Sequence, residues 1–262
     1  MFIYLSFIVF LSITYLSLTS MNLKKHIPNT ITLMNLLSGS AAAIFALNGQ
    51  FLIAVALTGL AAVFDFFDGF AARLLKVKSD TGKELDSLAD VISFGFTPSV
   101  ILFCMIRENT ALMPSGAITA LLPYASLLIG AFSALRLAKF NLDTRQSESF
   151  LGLPTPANAM FIVSLPLISG SSAIQNAGII TLAAGNLWFQ LLLIPISCFL
   201  LVSEIPLFAL KFSNGFSFAL NRVKYIFLLI SVILLIVLKW AGIPAVIIAY
   251  ILISLISTKK KY

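Results

Sequence analysis

Charge is scarce in this chain. Of 262 residues only 10% are Asp, Glu, Lys or Arg, where a soluble domain carries roughly 25%. With 60% hydrophobic residues and a mean hydropathy of +1.04, a water-soluble domain is excluded. Histidine is rarer still. His26 stands alone, which excludes sites built on two or more histidines, and its basic interfacial setting argues against a Ser-His-Asp triad. The two cysteines, Cys104 and Cys198, lie in separate apolar stretches and form no disulfide or metal-ligand pattern, so they read as small buried hydrophobes. Short alternating segments with a polar face are absent, and with them a transmembrane β-barrel. No repeat of fixed period and no low-complexity tract stands out.

Long apolar runs recur instead, for example 51–63, 187–201 and 225–238. Crossing a bilayer takes ~20 predominantly apolar residues, so the chain reads as one all-α, polytopic transmembrane helical bundle over 21–262. Predicted spans are 30–47, 51–73, 86–106, 117–138, 157–174, 188–210, 225–238 and 242–257. The last two are short and closely spaced, so a re-entrant pair is the alternative. Residues 1–20 carry no charge and lack the positive start of a secretory signal. They read as an extra N-terminal span, or as an extension upstream of a second start at Met21.

The net charge of +7 is distributed for a membrane rather than for nucleic acid. If Lys24 and Lys25 are cytoplasmic and the spans alternate, the inner segments hold those two, Arg73, Lys76, Lys78, Lys83, Arg136, Lys139, Arg145, Lys211, Arg222, Lys224, Lys259, Lys260 and Lys261. That is 15 of the 17 basic residues, with Arg107 and Lys239 outside. The asymmetry predicts a multi-pass protein of the cell membrane whose acidic cluster faces the cytoplasm.

That cluster lies where two apolar helices meet across a basic loop. An aspartate at the centre of a spanning helix costs roughly 2.5–3.5 kcal/mol on insertion scales, and less near an interface. Asp65 and Asp68 share a helix face that Gly69, Ala72 and Arg73 continue, and Gly82, Asp86 and Asp90 recur every four residues on the next helix. Four converging carboxylates repel one another, and hard divalent cations with oxygen ligands, Mg²⁺ or Mn²⁺, are their natural neutralisers. Gly69, Ala72 and Gly82 leave the helix surfaces bare for a bulky ligand, and Arg73 adds a fixed cation suited to phosphate. The combination predicts a diphosphate site for phosphoryl transfer. The plainer alternative is interfacial ion pairing with Arg73, Lys76, Lys78 and Lys83.

The pattern Asp65-x2-Asp68-Gly69-x2-Ala72-Arg73-x8-Gly82-x3-Asp86-x3-Asp90 resembles, at every fixed position, the signature of the CDP-alcohol phosphatidyltransferases. The resemblance implies a six-helix membrane core, here with two additional C-terminal spans, a homodimer, and a cytoplasm-facing site for two divalent metal ions. It further implies Asp65, Asp68 and Asp86 as metal ligands and Asp90 as the general base that also approaches a metal. Gly69, Ala72 and Gly82 are similar to the positions that admit the cytidine nucleotide, and Arg73 to a partner of the diphosphate.

Four further segments resemble the integral-membrane type of phosphatidylserine synthase. They are Pro28-Asn29-Thr30-Ile31-Thr32-Leu33-Met34-Asn35, Ser93-Phe94-Gly95-Phe96-Thr97-Pro98, Ala134-Leu135-Arg136-Leu137-Ala138-Lys139-Phe140-Asn141 and Gly152-Leu153-Pro154-Thr155-Pro156-Ala157. Each also has a plainer reading, as a helix cap, a kink or a tight loop. The likeness runs over about 27–160, and the chain beyond 170 reads as generic membrane helix. One departure is Lys139, where the family usually places arginine; the charge is kept and the planar fork lost.

The resemblance implies CDP-diacylglycerol as donor and L-serine as acceptor, with membrane lipids as the surroundings. Arg136 and Lys139 are the expected cations for the serine carboxylate, and Asn141 and Thr155 are expected to add hydrogen bonds. Competing acceptors are glycerol 3-phosphate, inositol or its phosphate, and a second lipid. An ion-coupled transporter is the competing class; many transporters show internal repeats, whereas the acidic cluster here occurs once.

Overall fold

A computed structural model describes residues 26–77, 79–143, 149–170, 178–208 and 218–258. The proposed N-terminal extra span over 1–20 lies outside the described residues. The elements are α1 (His26–Leu47), α2 (Phe51–Leu74), α3 (Asp80–Thr110), α4 (Ala117–Leu142), β1 (Ser149–Leu151), α5 (Thr155–Ser169), α6 (Gly178–Gly185), α7 (Leu187–Val202), β2 (Pro206–Phe208), α8 (Phe218–Leu238) and α9 (Gly242–Thr258). Five stretches among the described residues are long and apolar enough to cross a bilayer: α1, α2, α3, α4 and 221–257, which takes in most of α8 and α9. The protein is a multi-pass helical membrane bundle.

The helices are inside-out relative to those of a soluble protein. α1 buries Pro28, Thr32, Asn35, Ser38, Gly39, Ala42, Ala43 and Ala46, spaced by three and four, and exposes Met34, Leu37 and Ile44. With lipid as apolar as leucine, helices gain by close approach of small residues and by hydrogen bonds, not by hiding apolar area. α2 obeys the same rule, burying Ala54, Thr58, Ala61 and Asp68. α3 is the central helix: 78% of its apolar window is buried, against 22% for α2 and for α4.

α3 starts at Ser79, whose hydroxyl accepts from the Gly82 amide at 3.2 Å. It runs regularly to Asp90, widens into a π-helical segment over Val91–Phe96, and resumes as α-helix from Thr97. Pro98 lacks an amide hydrogen, which weakens the regular ladder at this point. Small residues surround the widening. A Cβ on Gly39 would overlap Ser93, and one on Gly95 would sit 2.9 Å from the Ser133 Cβ. α1 and α4 therefore close directly on the π segment, and Thr97 Oγ1 donates to the Gly39 carbonyl at 2.8 Å.

Several expectations change in the second half. The span predicted over 188–210 ends at Val202, after which the chain runs extended into β2. β2 pairs antiparallel with β1, Phe150 opposite Leu207, an ordered ribbon among described residues that are otherwise helical or in connections. α6 was not expected. α8 begins earlier than 225, and α9 folds back on it: Lys239 takes φ +50°, and a Cβ on Gly242 would meet the Leu234 carbonyl at 2.6 Å. This hairpin is docked on the ribbon through Phe208, Phe227 and Tyr250, with Tyr250 Oη donating to the Phe208 carbonyl at 2.9 Å. The region beyond 170 is thus more than generic helix, because it supplies half of the ribbon and the cluster that seats it.

Candidate active site

α2 and α3 bring the four aspartates to one end of the bundle. Asp65, Asp68 and Asp86 each present a carboxylate oxygen within 4.8 Å of the others. Asp90, one turn further along α3, stands beside Asp65 and within electrostatic reach of Asp86 and Asp68. Asp68 and Asp90 are buried, at 4% and 9% exposure. An all-oxygen, multiply anionic donor set is the chemistry that Mg²⁺ and Mn²⁺ prefer. The aspartates therefore fit the metal ions that the sequence implied, and no competing lysine or arginine ion pair occupies them among the described residues.

α1 orients two of these carboxylates. Thr32 Oγ1 donates to Asp68 Oδ2 at 2.6 Å, and Asn35 Nδ2 donates to Asp90 Oδ1 at 3.3 Å. Asn35 is itself fixed, since Ser93 Oγ donates to its backbone carbonyl at 3.0 Å. Its Oδ1 is buried without a hydrogen-bond partner. Pro28, Thr32, Asn35 and Gly39 follow one another at four, three and four residues, so they form a single stripe facing α2 and α3. The family resemblance of this segment assigns Thr32 and Asn35 no role by itself. The available signal was a polar stripe inside an otherwise apolar span.

Beside the carboxylates lies a cavity of about 370 Å³, walled by Asn29, Asp68, Gly69, Ala72, Gly82 and Asp86 among others. The three small residues expected to admit a nucleotide all line it. Gly69 opens onto free space, whereas a Cβ on Gly82 would lie 2.9 Å from Asn29 Oδ1. Arg73 is exposed in the last turn of α2 and is not among the lining residues. Among the described residues the cation on the cavity wall is Lys83, whose Nζ donates to the Asn141 carbonyl at 3.1 Å.

The four residues expected to hold the acceptor separate into two groups. Arg136, 7% exposed, donates from Nη1 to Thr155 Oγ1 at 2.8 Å. Its guanidinium stands 5.5 Å from the centre of the Phe140 ring and within electrostatic reach of Asp90. Arg136 and exposed Lys139 also line a second cavity of about 370 Å³. Asn141 is placed differently. Its Nδ2 donates to Ser87 Oγ at 2.8 Å, so it clasps the end of α4 to α3 and is not among the residues lining that cavity.

The chain is similar to known proteins along much of its length. The chain is 32% identical over 191 residues to the CDP-diacylglycerol–serine O-phosphatidyltransferase of Mycobacterium leprae, covering 69% of this chain and 57% of that protein. It is 31% identical over 229 residues to the protein of the same name from Helicobacter pylori strain J99, covering 79% and 93% respectively. With the Bacillus subtilis protein of that name it shares 35% identity over 140 residues, 53% of this chain and 75% of the relative. The chain thus spans little more than half of the mycobacterial relative and nearly all of the Helicobacter one. The family-wide profile matches residues 25–256, which takes in every aspartate, both cavities and the C-terminal hairpin, and the chain belongs to the CDP-alcohol phosphatidyltransferase family.

Proposed function

We propose that the protein transfers the phosphatidyl group of CDP-diacylglycerol to the hydroxyl of L-serine, giving phosphatidylserine and CMP. The observation that carries this reading is the convergence of four aspartates beside a cavity whose wall is bared by Gly69, Ala72 and Gly82. Serine as the acceptor is supported by the names of the relatives and by the buried Arg136–Thr155 pair next to Asp90. The proposed setting is the cell membrane, with the site facing the cytoplasm as the distribution of basic residues implies, and a homodimer as the assembly.

Asp65, Asp68, Asp86 and Asp90 would hold two divalent ions, Mg²⁺ or Mn²⁺. When bound, these neutralise the diphosphate and act as Lewis acids on its oxygens. The cytidine end lies along Gly69, Ala72 and Gly82, where the missing side chains let a flat group approach backbone. Lys83 on the wall and Arg73 at the end of α2 supply positive charge toward the diphosphate. The acyl chains remain among the apolar helices. Asp90, oriented by Asn35, accepts the proton of the serine hydroxyl. The serine oxygen forms a bond to the lipid-linked phosphorus, the bond from that phosphorus to the CMP oxygen breaks, and CMP leaves with the electron pair. Arg136 holds the serine carboxylate, its orientation set by Thr155. Positioning and charge stabilisation supply most of the acceleration.

The test is CMP release by purified protein in detergent–lipid micelles containing CDP-diacylglycerol, with each candidate acceptor added separately. Release is expected to require both serine and Mg²⁺ or Mn²⁺, and to vanish in Asp90→Asn. Release with a different acceptor would keep the site and replace serine. No release with any acceptor, from folded protein, would overturn the reading.

A further inference from the structure

Tyr250 is a buried phenol in the middle of α9, the last described helix. It is 6% exposed, and a phenylalanine would fill the same apolar space without the cost of burying a hydroxyl. The hydroxyl therefore calls for a function of its own. Its single proton is donated to the Phe208 carbonyl at 2.9 Å, so to any other neighbour the group can only accept. One such neighbour is Arg136, whose guanidinium stands within electrostatic reach of the Tyr250 oxygen. Arg136 is 7% exposed, and its Nε is a buried donor with no hydrogen-bond partner among the described residues.

The same tyrosine reaches Arg136 by a second route. Its ring packs edge-on against Phe208 with centroids 5.0 Å apart, and Phe208 packs against Phe227 at 5.6 Å. Leu153 is buried in this cluster. Phe208 ends β2, and Leu153 belongs to the corner between β1 and α5. Backbone fixes that corner: the Gly152 amide donates to the Ile205 carbonyl at 2.9 Å, and the Leu153 amide to the Leu200 carbonyl at 2.8 Å. Gly152, at φ +74°, packs so closely that a Cβ would lie 2.7 Å from the Ser203 carbonyl oxygen. Only glycine tolerates both the conformation and the contact. Two residues beyond Leu153, Thr155 accepts from Arg136 Nη1 at 2.8 Å. Hairpin, ribbon and corner thus form one continuous support that ends on the guanidinium.

We infer that Tyr250 is a positioning residue for the proposed transfer: its hydroxyl pins β2 and steadies the Arg136 guanidinium, so the C-terminal hairpin sets the geometry of a side chain on α4. The inference rests on the activity proposed above, in which Arg136 holds the acceptor carboxylate. Tyr250 acts through Arg136 and not on the reacting atoms, and it lies far beyond the four segments that resemble the synthases. Its removal leaves the metal and nucleotide end in place, since the aspartates and the first cavity are built on α1, α2, α3 and the connection between α2 and α3.

The experiment measures steady-state CMP release by the full chain in mixed micelles, titrating L-serine and CDP-diacylglycerol in turn, together with the thermal midpoint. In Tyr250→Phe the KM for serine is expected to rise about five-fold, as for the loss of one hydrogen bond, while the KM for CDP-diacylglycerol stays as in the wild type. Thr155→Val is expected to raise the serine KM in the same way. Together the two changes are expected to raise it by less than the product of their separate factors, because both loosen one guanidinium. A hydroxyl that only seats the hairpin gives other patterns: a serine KM unmoved, both KM values raised together as the midpoint falls, or factors that multiply. Any of these would overturn the positioning role and leave the proposed activity standing. Phe227→Leu, which slackens the Tyr250 ring without touching its hydroxyl, is the second variant should Tyr250→Phe fail to fold. It is expected to show the same split between the two substrates, and an unmoved serine KM there would equally overturn the role. Wild-type release with another acceptor but not with serine would overturn the activity, and this role with it.

Discussion

A threonine and an asparagine on α1 decide how two of the four carboxylates present themselves. Thr32 gives Asp68 a 2.6 Å hydrogen bond, and Asn35 gives Asp90 one at 3.3 Å. Groups that orient metal ligands typically contribute about 10–100-fold in metal affinity. Thr32→Val keeps the shape and removes the donor. The concentration of Mg²⁺ or Mn²⁺ giving half-maximal CMP release is expected to rise by about ten-fold or more, with maximal rate at saturating metal largely restored. An unchanged metal titration would remove Thr32 from the site. The aspartates were legible in the sequence because ionisable residues are costly in a span and these share helix faces across one short loop. Thr32 and Asn35 were not, because a lone hydroxyl or amide in a membrane helix is cheap and often bonds its own backbone, as Thr58 does to Ala54 at 2.8 Å.

Elements meet where side chains are missing. Gly39 lets α1 touch the π segment of α3, and Gly95 lets that segment touch α4. Gly39→Ala places a methyl group against the Ser93 backbone and forces α1 away. Since α1 carries Thr32 and Asn35, activity and stability are expected to fall together, the latter by about 1–3 kcal/mol as for other overpacked sites. Gly59→Ala, where a Cβ meets nothing within 4 Å, is the matched control and is expected to be neutral or slightly stabilising. Thermal unfolding and CMP release in the same micelles check both. The spans were legible from hydropathy, and α1 to α4 follow the predicted order. The widening at Val91–Phe96 was not, since Gly95 and Pro98 announce an irregularity without specifying its kind. The early end of α7 and the ribbon were also missed, because Pro206 to Phe208 is as apolar as any helix and becomes a strand only through its pairing with β1.

The whole molecule holds four like charges at one end of a low-dielectric bundle, so the metal-free protein carries built-in repulsion. Divalent ions that bind the folded state should stabilise it, by about 2.7 kcal/mol at a hundred times the dissociation constant. The thermal midpoint in micelles is expected to rise on adding Mn²⁺ or Mg²⁺ and to fall with a chelator. In Asp68→Asn/Asp86→Asn the metal-dependent rise should disappear, and the variant in chelator should be more stable than the wild type. A wild-type midpoint indifferent to metal would count against the aspartates as a cation site.

By itself the sequence determined the membrane class, the order of the first spans and the acidic constellation, because hydropathy, charge scarcity and helical spacing are local properties. Only the tertiary structure decided that Thr32 and Asn35 serve Asp68 and Asp90, that Lys83 rather than Arg73 lines the first cavity, and that Arg136 and Glu204 border the same second cavity. Those pairings join residues far apart along the chain. Which helix faces meet depends on where glycine and serine permit close approach and on the corner that Gly152 makes, and no local pattern in the sequence encodes the distance between them.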